Sequence, residues 1–197
     1  MFMDFLVLKS DYDREKLLMD LKIAKGIQSF INPKKINGKT FSLSKETYGW
    51  EALPLNTING KTDNTSAIPV NIKGNNNYLP NCILKECKYI QEILNELNTE
   101  IYLVRIMKLK SGGFISPHVD KLIDKKNVIR CQIPIVSNNE VTFILDDKRY
   151  DMKEGNLYFI NVGEKVHWLK NNSKSDRYTL VIDMKPTKEI TEKISMC

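Results

Sequence analysis

The chain has 197 residues, 42% of them hydrophobic and 27% charged, with a net charge of +6. That length suits one soluble globular domain, able to bury a core without disulfides or a structural metal. The lysines are spread through every segment instead of forming a block or an aromatic-interleaved stripe, which indicates a generally basic surface and argues against a nucleic-acid partner.

Met1 to Leu8 is apolar, but Asp4 interrupts it and no basic segment precedes it. It is therefore expected to form a short strand from Phe2 to Leu8, not a leader or an anchor, and no other run approaches membrane-spanning length. Ser10 or Asp11 can cap a helix reaching about Lys25, with Leu17, Leu18, Leu21 and Ala24 at helical spacing and Gly26 at its end. From Ile27 to Asn77, brief apolar runs alternate with turn chemistry at Asn32-Pro33, Asn37-Gly38, Asn59-Gly60 and Gly74 to Asn77, which suggests strands and long loops. Trp50 to Leu55 is the landmark there, either a core anchor or an aromatic wall of a ligand pocket.

Pro80-Asn81 opens the clearest helix. Ile83, Cys87, Ile90, Ile93, Leu94 and Leu97 fall on one face, and Lys85, Glu86, Lys88, Glu92 and Glu96 mostly on the other, so it should lie against a sheet with Cys87 as core packing. Cys82 and Cys87 would share this helix, where a bridge is awkward. Cys131 and Cys197 complete no CxxC pair or zinc-finger spacing, so a reduced, cytoplasmic protein is expected. In that setting the glycosylation-type triplets Asn64-Thr65-Ser66 and Asn171-Asn172-Ser173 have no consequence.

After Asn98 the pattern becomes strand upon strand: Ile101 to Lys110, Phe114 to Asp120, Asn127 to Val136, Glu140 to Asp146, Arg149 to Met152, Asn156 to Val162, Lys165 to Leu169 and Arg177 to Met184. Ser137-Asn138-Asn139 predicts a hairpin between the third and fourth of these. Short strands at roughly ten-residue spacing with no helix between them indicate an antiparallel sandwich or barrel, of which the jelly roll is the eight-stranded form. The expected fold class is mainly β (α+β). Residues 1–98 supply supporting helices, strands and loops, 99–185 the β core, and 186–197 a charged tail outside it.

The chain has only two histidines, His118 and His167, and both fall in this core. His118 and Asp120 are two apart, so on a strand both side chains leave the same face and can share a metal. His167 is the remaining imidazole for the third position. Two imidazoles and a carboxylate on one face of an octahedral ion leave three positions open, the arrangement of non-haem Fe(II) oxygenases. Structural zinc would want a closed tetrahedral shell, for which the cysteines are wrongly placed.

Arg177 heads the apolar run Tyr178 to Ile182, so its guanidinium is expected to be buried and to need a carboxylate. The partner is either Asp176 or Asp183, or a ligand carboxylate such as that of 2-oxoglutarate. Arg130 and Gln132 share strand parity and either point together into the cavity or, for Arg130, face solvent.

Leu109 to Asp120, Arg130 to Ile135, Glu154-Gly155 and His167 through Arg177 resemble the aspartyl/asparaginyl β-hydroxylase family of Fe(II)- and 2-oxoglutarate-dependent dioxygenases, which includes free-proline cis-hydroxylases. Trp50 to Leu55 resembles an element that precedes the core in small members. The resemblance implies a double-stranded β-helix, jelly-roll or cupin-like in form. It also implies iron on His118, Asp120 and His167, the distal carboxylate of 2-oxoglutarate on Arg177, and its metal-binding end near Arg130 and Gln132. Trp50 and Arg105 are the candidate substrate contacts.

Gln132 departs from a family position that often holds histidine, keeping a hydrogen bond while losing an ionisable group. Asp120 is present where some members lack it, so a halogenase-type site is not indicated. The implied activity uses Fe(II), 2-oxoglutarate and O2 to hydroxylate an aliphatic C–H bond of an amino acid or amino-acid side chain. A small amino-acid-like substrate is favoured over a peptide or protein, with a peptidyl Asp/Asn-type hydroxylase or a non-catalytic metal-binding jelly-roll module as alternatives.

Overall fold

The computed structural model describes residues 3–32, 46–63, 66–68 and 76–195. The turns expected at Asn37-Gly38 and Gly74-Asn75, and part of Asn32-Pro33 and Asn64-Thr65-Ser66, lie outside these residues, as does Cys197. Strand β1 (Phe5–Lys9) leads into helix α1 (Arg14–Ile27). Its cap is Asp13, whose carboxylate accepts the Lys16 N–H at 3.1 Å. Asp11 has φ +66 and stands before the helix. The helix runs through Gly26 to Ile27, and Leu17, Leu21 and Ala24 are buried.

The amphipathic segment after Pro80 is two helices, α2 (Cys82–Glu86) and α3 (Lys88–Glu96), broken at Cys87. Asn81 caps the first, its side chain accepting the Ile83 and Leu84 N–H groups at 3.0 Å. The break is tolerated because a distant group satisfies the second helix start: Asp20 of α1 accepts the Ile90 N–H at 2.7 Å.

Between these helices lie β2 (Tyr48–Ile58) and β3 (Tyr78–Pro80). After them come β4 (Ile101–His118), β5 (Ile129–Val136), β6 (Val141–Leu145), β7 (Lys148–Tyr150), β8 (Leu157–Ile160), β9 (His167–Asn171) and β10 (Arg177–Met184). The two strands expected across 101–120 are one. β4 bends instead of ending, with Gly112 at φ +71, and Gly113 is packed so closely that a Cβ would sit 2.7 Å from Leu109 Cδ1.

The bend lets one strand serve both halves of a curled antiparallel sheet of order β1-β8-β5-β10-β4-β9-β6-β7, with β2 added beside β4 and β3 beside β2. Residues 101–109 of β4 pair with β10, and its end, Phe114–His118, pairs with β9. The result is a mainly β jelly roll, as the strand spacing predicted. The predicted β5–β6 hairpin is not formed. β5 pairs with β10 and β8, while β6 pairs with β7 and β9, because Ser137 to Asn139 carries the chain across from one half-sheet to the other.

The outer face of the larger half, with Leu53, Leu55, Val104, Ile106, Ile133, Phe159, Leu180 and Ile182, packs on α1, α2 and α3 as the main core. The inner face carries a second cluster that includes Leu109, Phe143, Leu145, Tyr158, Ile160 and Leu169. The segment expected as an outside tail instead forms helix α4 (Lys188–Ser195). Its Ile194 is buried in the main core, and its carbonyl accepts the Met3 N–H at 2.9 Å. The described residues contain no helix long and apolar enough to cross a membrane. Cys82, Cys87 and Cys131 are free thiols.

Candidate metal centre and arginine pocket

The end of β4 lies against the start of β9, and His118 faces His167 in register. Their rings stand 4.2 Å apart between centroids. Asp120 is not on the strand: β4 stops at His118, and Asp120 sits in the following loop, where its N–H donates to Val162 O at 2.8 Å. Strand parity therefore does not bring the carboxylate to the histidines; the loop fold does. Asp120 Oδ1 is 3.5 Å from His118 Nε2, and Oδ2 is 3.8 Å from His167 Nε2. One ligand atom from each of the three residues lies within 4.8 Å of the others.

Both rings present Nε2 because Nδ1 is engaged behind them, with Ser116 O at 2.7 Å from His118 Nδ1 and Lys165 O at 3.3 Å from His167 Nδ1. Such backbone partners fix the tautomer that leaves Nε2 as a lone-pair donor. Burial pushes the His167 pKa down to about 4, so its imidazole is neutral. Burial opposes ionisation of Asp120, but the Arg130 guanidinium beside it outweighs burial and holds the carboxyl below its ordinary range. Two imidazoles and one carboxylate form the donor set that suits a divalent first-row metal with open positions.

The inner face of β10 carries Arg177, Thr179, Val181 and Asp183 at alternate positions. Asp183 lies opposite Arg130 on β5, and Val181 lies between Gln132 of β5 and Arg105 of β4. Arg130 is 5% exposed, which removes the surface alternative for it. Its Nε and Nη2 donate to Asp183 Oδ1 and Oδ2 at 2.6 and 2.8 Å, and its Nη1 donates to Asp120 Oδ2. Arg105, also buried, donates from Nη1 to Asp183 Oδ2 at 3.2 Å. Burial and the neighbouring Arg130 lower the Arg105 pKa to about 10, whereas Asp183 and Asp120 overcome burial and raise that of Arg130.

Arg177 sits at the other end of β10, roughly 20 Å from Asp183 at ~3.3 Å per residue. Asp183 is thus out of reach. Asp176, on the opposite face, is engaged by Lys108 Nζ at 3.2 Å and the Ser111 N–H at 3.0 Å. Neither sequence-level partner meets Arg177. It is buried with no ion pair among the described residues, and burial alone pushes its pKa down to about 10. Its guanidinium lines a cavity of about 350 Å³ with Asn138, Phe143, Tyr150 and Met152. The Phe143 ring of that wall stands 6.5 Å from the His167 ring.

Four buried polar atoms on the inner face have no hydrogen-bond partner among the described residues: Arg177 Nε, Thr179 Oγ1, Arg105 Nε and Trp50 Nε1. Trp50 belongs to this face because it lies opposite Leu109 of the inner cluster. Buried polar groups are ordinarily satisfied, so these orphans mark where polar ligand atoms fit. Thr179 was not singled out from the sequence, and Asp183 was weighed there only as a partner for Arg177. A threonine two residues after Arg177 was the available signal for the first; the second meets Arg130 and Arg105 instead of Arg177.

A family model described as aspartyl/asparaginyl beta-hydroxylase matches residues 22–186. No curated protein sequence matches the chain. Among solved structures, a prolyl hydroxylase from Trichoplax adhaerens in complex with a hypoxia-inducible-factor peptide fragment aligns at TM-score 0.57 and 11% identity, covering 95% of this chain and 86% of that one. A 2OG-Fe(II) oxygenase family oxidoreductase from Burkholderia pseudomallei gives 0.57 at 12% identity, covering 92% and 84%. A Pseudomonas putida prolyl-4-hydroxylase gives 0.53 at 12% identity, covering 93% of each chain. These likenesses establish the shared fold.

Proposed function

The chain belongs to the aspartyl/asparaginyl β-hydroxylase family and is a 2-oxoglutarate-dependent Fe(II) oxygenase, and on that premise we propose that it hydroxylates an aliphatic C–H bond of a small amino-acid-like substrate. His118, Asp120 and His167 would hold the iron. Bound there, Fe(II) supplies O2 activation coupled to conversion of 2-oxoglutarate to succinate and carbon dioxide, one oxygen atom going to succinate and the other to the hydroxylated product.

The residues of the chain do the rest by placement. The backbone carbonyls behind His118 and His167 hold both imidazoles as Nε2 donors. Arg177, the single observation that carries the reading, is a buried cation without an anion among the described residues, and it offers its fork to a ligand carboxylate with Thr179 Oγ1 beside it on the same strand face. Met107 and Leu109, opposite Thr179 and Arg177, keep that end of the interior apolar and exclude water. Gln132 faces the same interior, where its amide suits the metal-binding end of the co-substrate. Arg105 Nε and Trp50 Nε1 are the unpartnered donors left for a substrate carboxylate or carbonyl.

The buried, unpartnered Nε of Arg105 suits the carboxylate of a free amino acid. A peptide substrate is the second reading. The exposed Leu122 and Val166, flanking Asp120 and His167 in sequence, favour it, and the Trichoplax adhaerens neighbour holds a peptide.

Anaerobic addition of Fe(II) and 2-oxoglutarate should give a visible charge-transfer band, and no band would overturn the oxygenase assignment. Succinate release and product mass can then be followed across free amino acids and peptides. Turnover with free amino acids is the expected outcome, and turnover with peptides alone would replace it with the second reading.

A further inference from the structure

We propose that Asp183 is a positioning residue for the metal centre, acting through Arg130 to hold the Asp120 carboxylate in its metal-binding orientation. The proposal rests on the reading of His118, Asp120 and His167 as metal ligands. Asp183 is fully buried near the end of a strand whose residues are all buried. A carboxylate without solvent is unfavourable unless it is paired and hydrogen-bonded. Here both oxygens are used by Arg130, and one is shared with Arg105.

The geometry gives that pairing a consequence. A guanidinium is planar and rigid, so gripping its Nε/Nη2 edge at two points sets the direction of the remaining nitrogen. That nitrogen, Nη1, meets Asp120 Oδ2. Oδ1, on the side of His118 Nε2, is then the oxygen left for a metal. Asp120 needs this outside support because it lies in a loop beyond β4, where no strand pleat orients its side chain.

Two effects of Arg130 have opposite sign and can be separated. As a cation beside a divalent ion, it weakens metal binding by repulsion. As a clamp on Asp120, it strengthens binding by preorganisation. The positioning role therefore predicts that Arg130→Met, which removes the positive charge, weakens metal binding, whereas a purely electrostatic role predicts tighter binding.

The test is anaerobic titration of Co(II) alone into the full chain, followed by its visible d–d absorption, with a thermal melt of each metal-free variant. Asp183→Asn and Arg130→Met should each weaken Co(II) binding about 10- to 100-fold, the usual size of a supporting-ligand effect, with an altered absorption envelope. Arg130→Lys keeps the charge, loses the fork, and should behave as Arg130→Met does; it carries the test if the methionine variant does not fold. Folded variants that bind Co(II) as tightly as the parent, or more tightly, overturn the positioning role while leaving the metal site standing. A parent chain that binds no Co(II) overturns the metal reading itself, and the positioning role with it.

Discussion

Replacing Arg177 by methionine should separate stability from co-substrate binding, moving the two in opposite directions. The side chain is 5% exposed and forms no ion pair among the described residues, and its Nε has no hydrogen-bond partner. An unpaired buried guanidinium is unfavourable in the ligand-free protein, and methionine fills a similar volume without charge. Arg177→Met should therefore stabilise the chain by about 1–2 kcal/mol, the lower part of the range for replacing buried charge by apolar groups. For a chain of this size that is a rise of roughly 2–8 °C in Tm. With 2-oxoglutarate bound, the same change leaves a buried carboxylate uncompensated, at about 3–5 kcal/mol. That corresponds to roughly 150- to 5,000-fold in Kd. Differential scanning fluorimetry without ligand and anaerobic calorimetric titration of 2-oxoglutarate in the presence of Mn(II) give the two numbers. Unchanged 2-oxoglutarate affinity would refute the assignment of Arg177, and a lower ligand-free Tm would show that it has a protein partner after all.

Two further outcomes follow from packing and burial. A Cβ at Gly163 would lie 2.1 Å from Ile123 O, in the loop where Ile123 N–H donates to Asp120 O at 2.9 Å. Gly163→Ala should cost about 1–3 kcal/mol as an overpacking change and also weaken Co(II) binding by displacing Asp120; normal Co(II) affinity would show that the loop absorbs the methyl without moving the ligand. Asp20 is buried beneath α3, and desolvation raises its pKa above the ordinary 3.8 although backbone N–H groups oppose the shift. A raised folded-state pKa means that folding favours the neutral acid, so this contribution is present below pH 3.8 and is lost as pH rises through the folded value. The Tm of the parent minus that of Asp20→Asn should accordingly fall as pH is raised through this window, and a pH-independent difference would contradict the burial argument.

The candidate metal triad was legible in the sequence because only two histidines exist and both fall among short strands. The burial of Arg177 was legible because the residue heads an apolar run. Helix faces and the jelly-roll class followed from periodicity and strand spacing, which local side-chain chemistry determines. Other features depended on contacts between distant segments. β4 is one bent strand through Gly112, β5 and β6 do not pair with each other, and the segment from Lys188 forms a helix whose Ile194 carbonyl meets the Met3 N–H. None of these has a local signal.

The same division runs through the site. Residue types and spacing pointed to His118, Asp120, His167 and Arg177, but not to which acid each arginine would meet. Arg130 and Arg105 reach Asp183 across 53 and 78 residues of chain. Cross-strand register sets those meetings, and a one-residue slip would turn Asp183 to the opposite face. Tertiary structure thus paired Asp183 with Arg130 and Arg105, left Arg177 Nε and Thr179 Oγ1 without partners among the described residues, and placed Asp120 by its loop instead of by strand parity. Partner choice for a buried charge is a property of what the fold brings within hydrogen-bond distance, and sequence spacing determines that only within a single helix or strand.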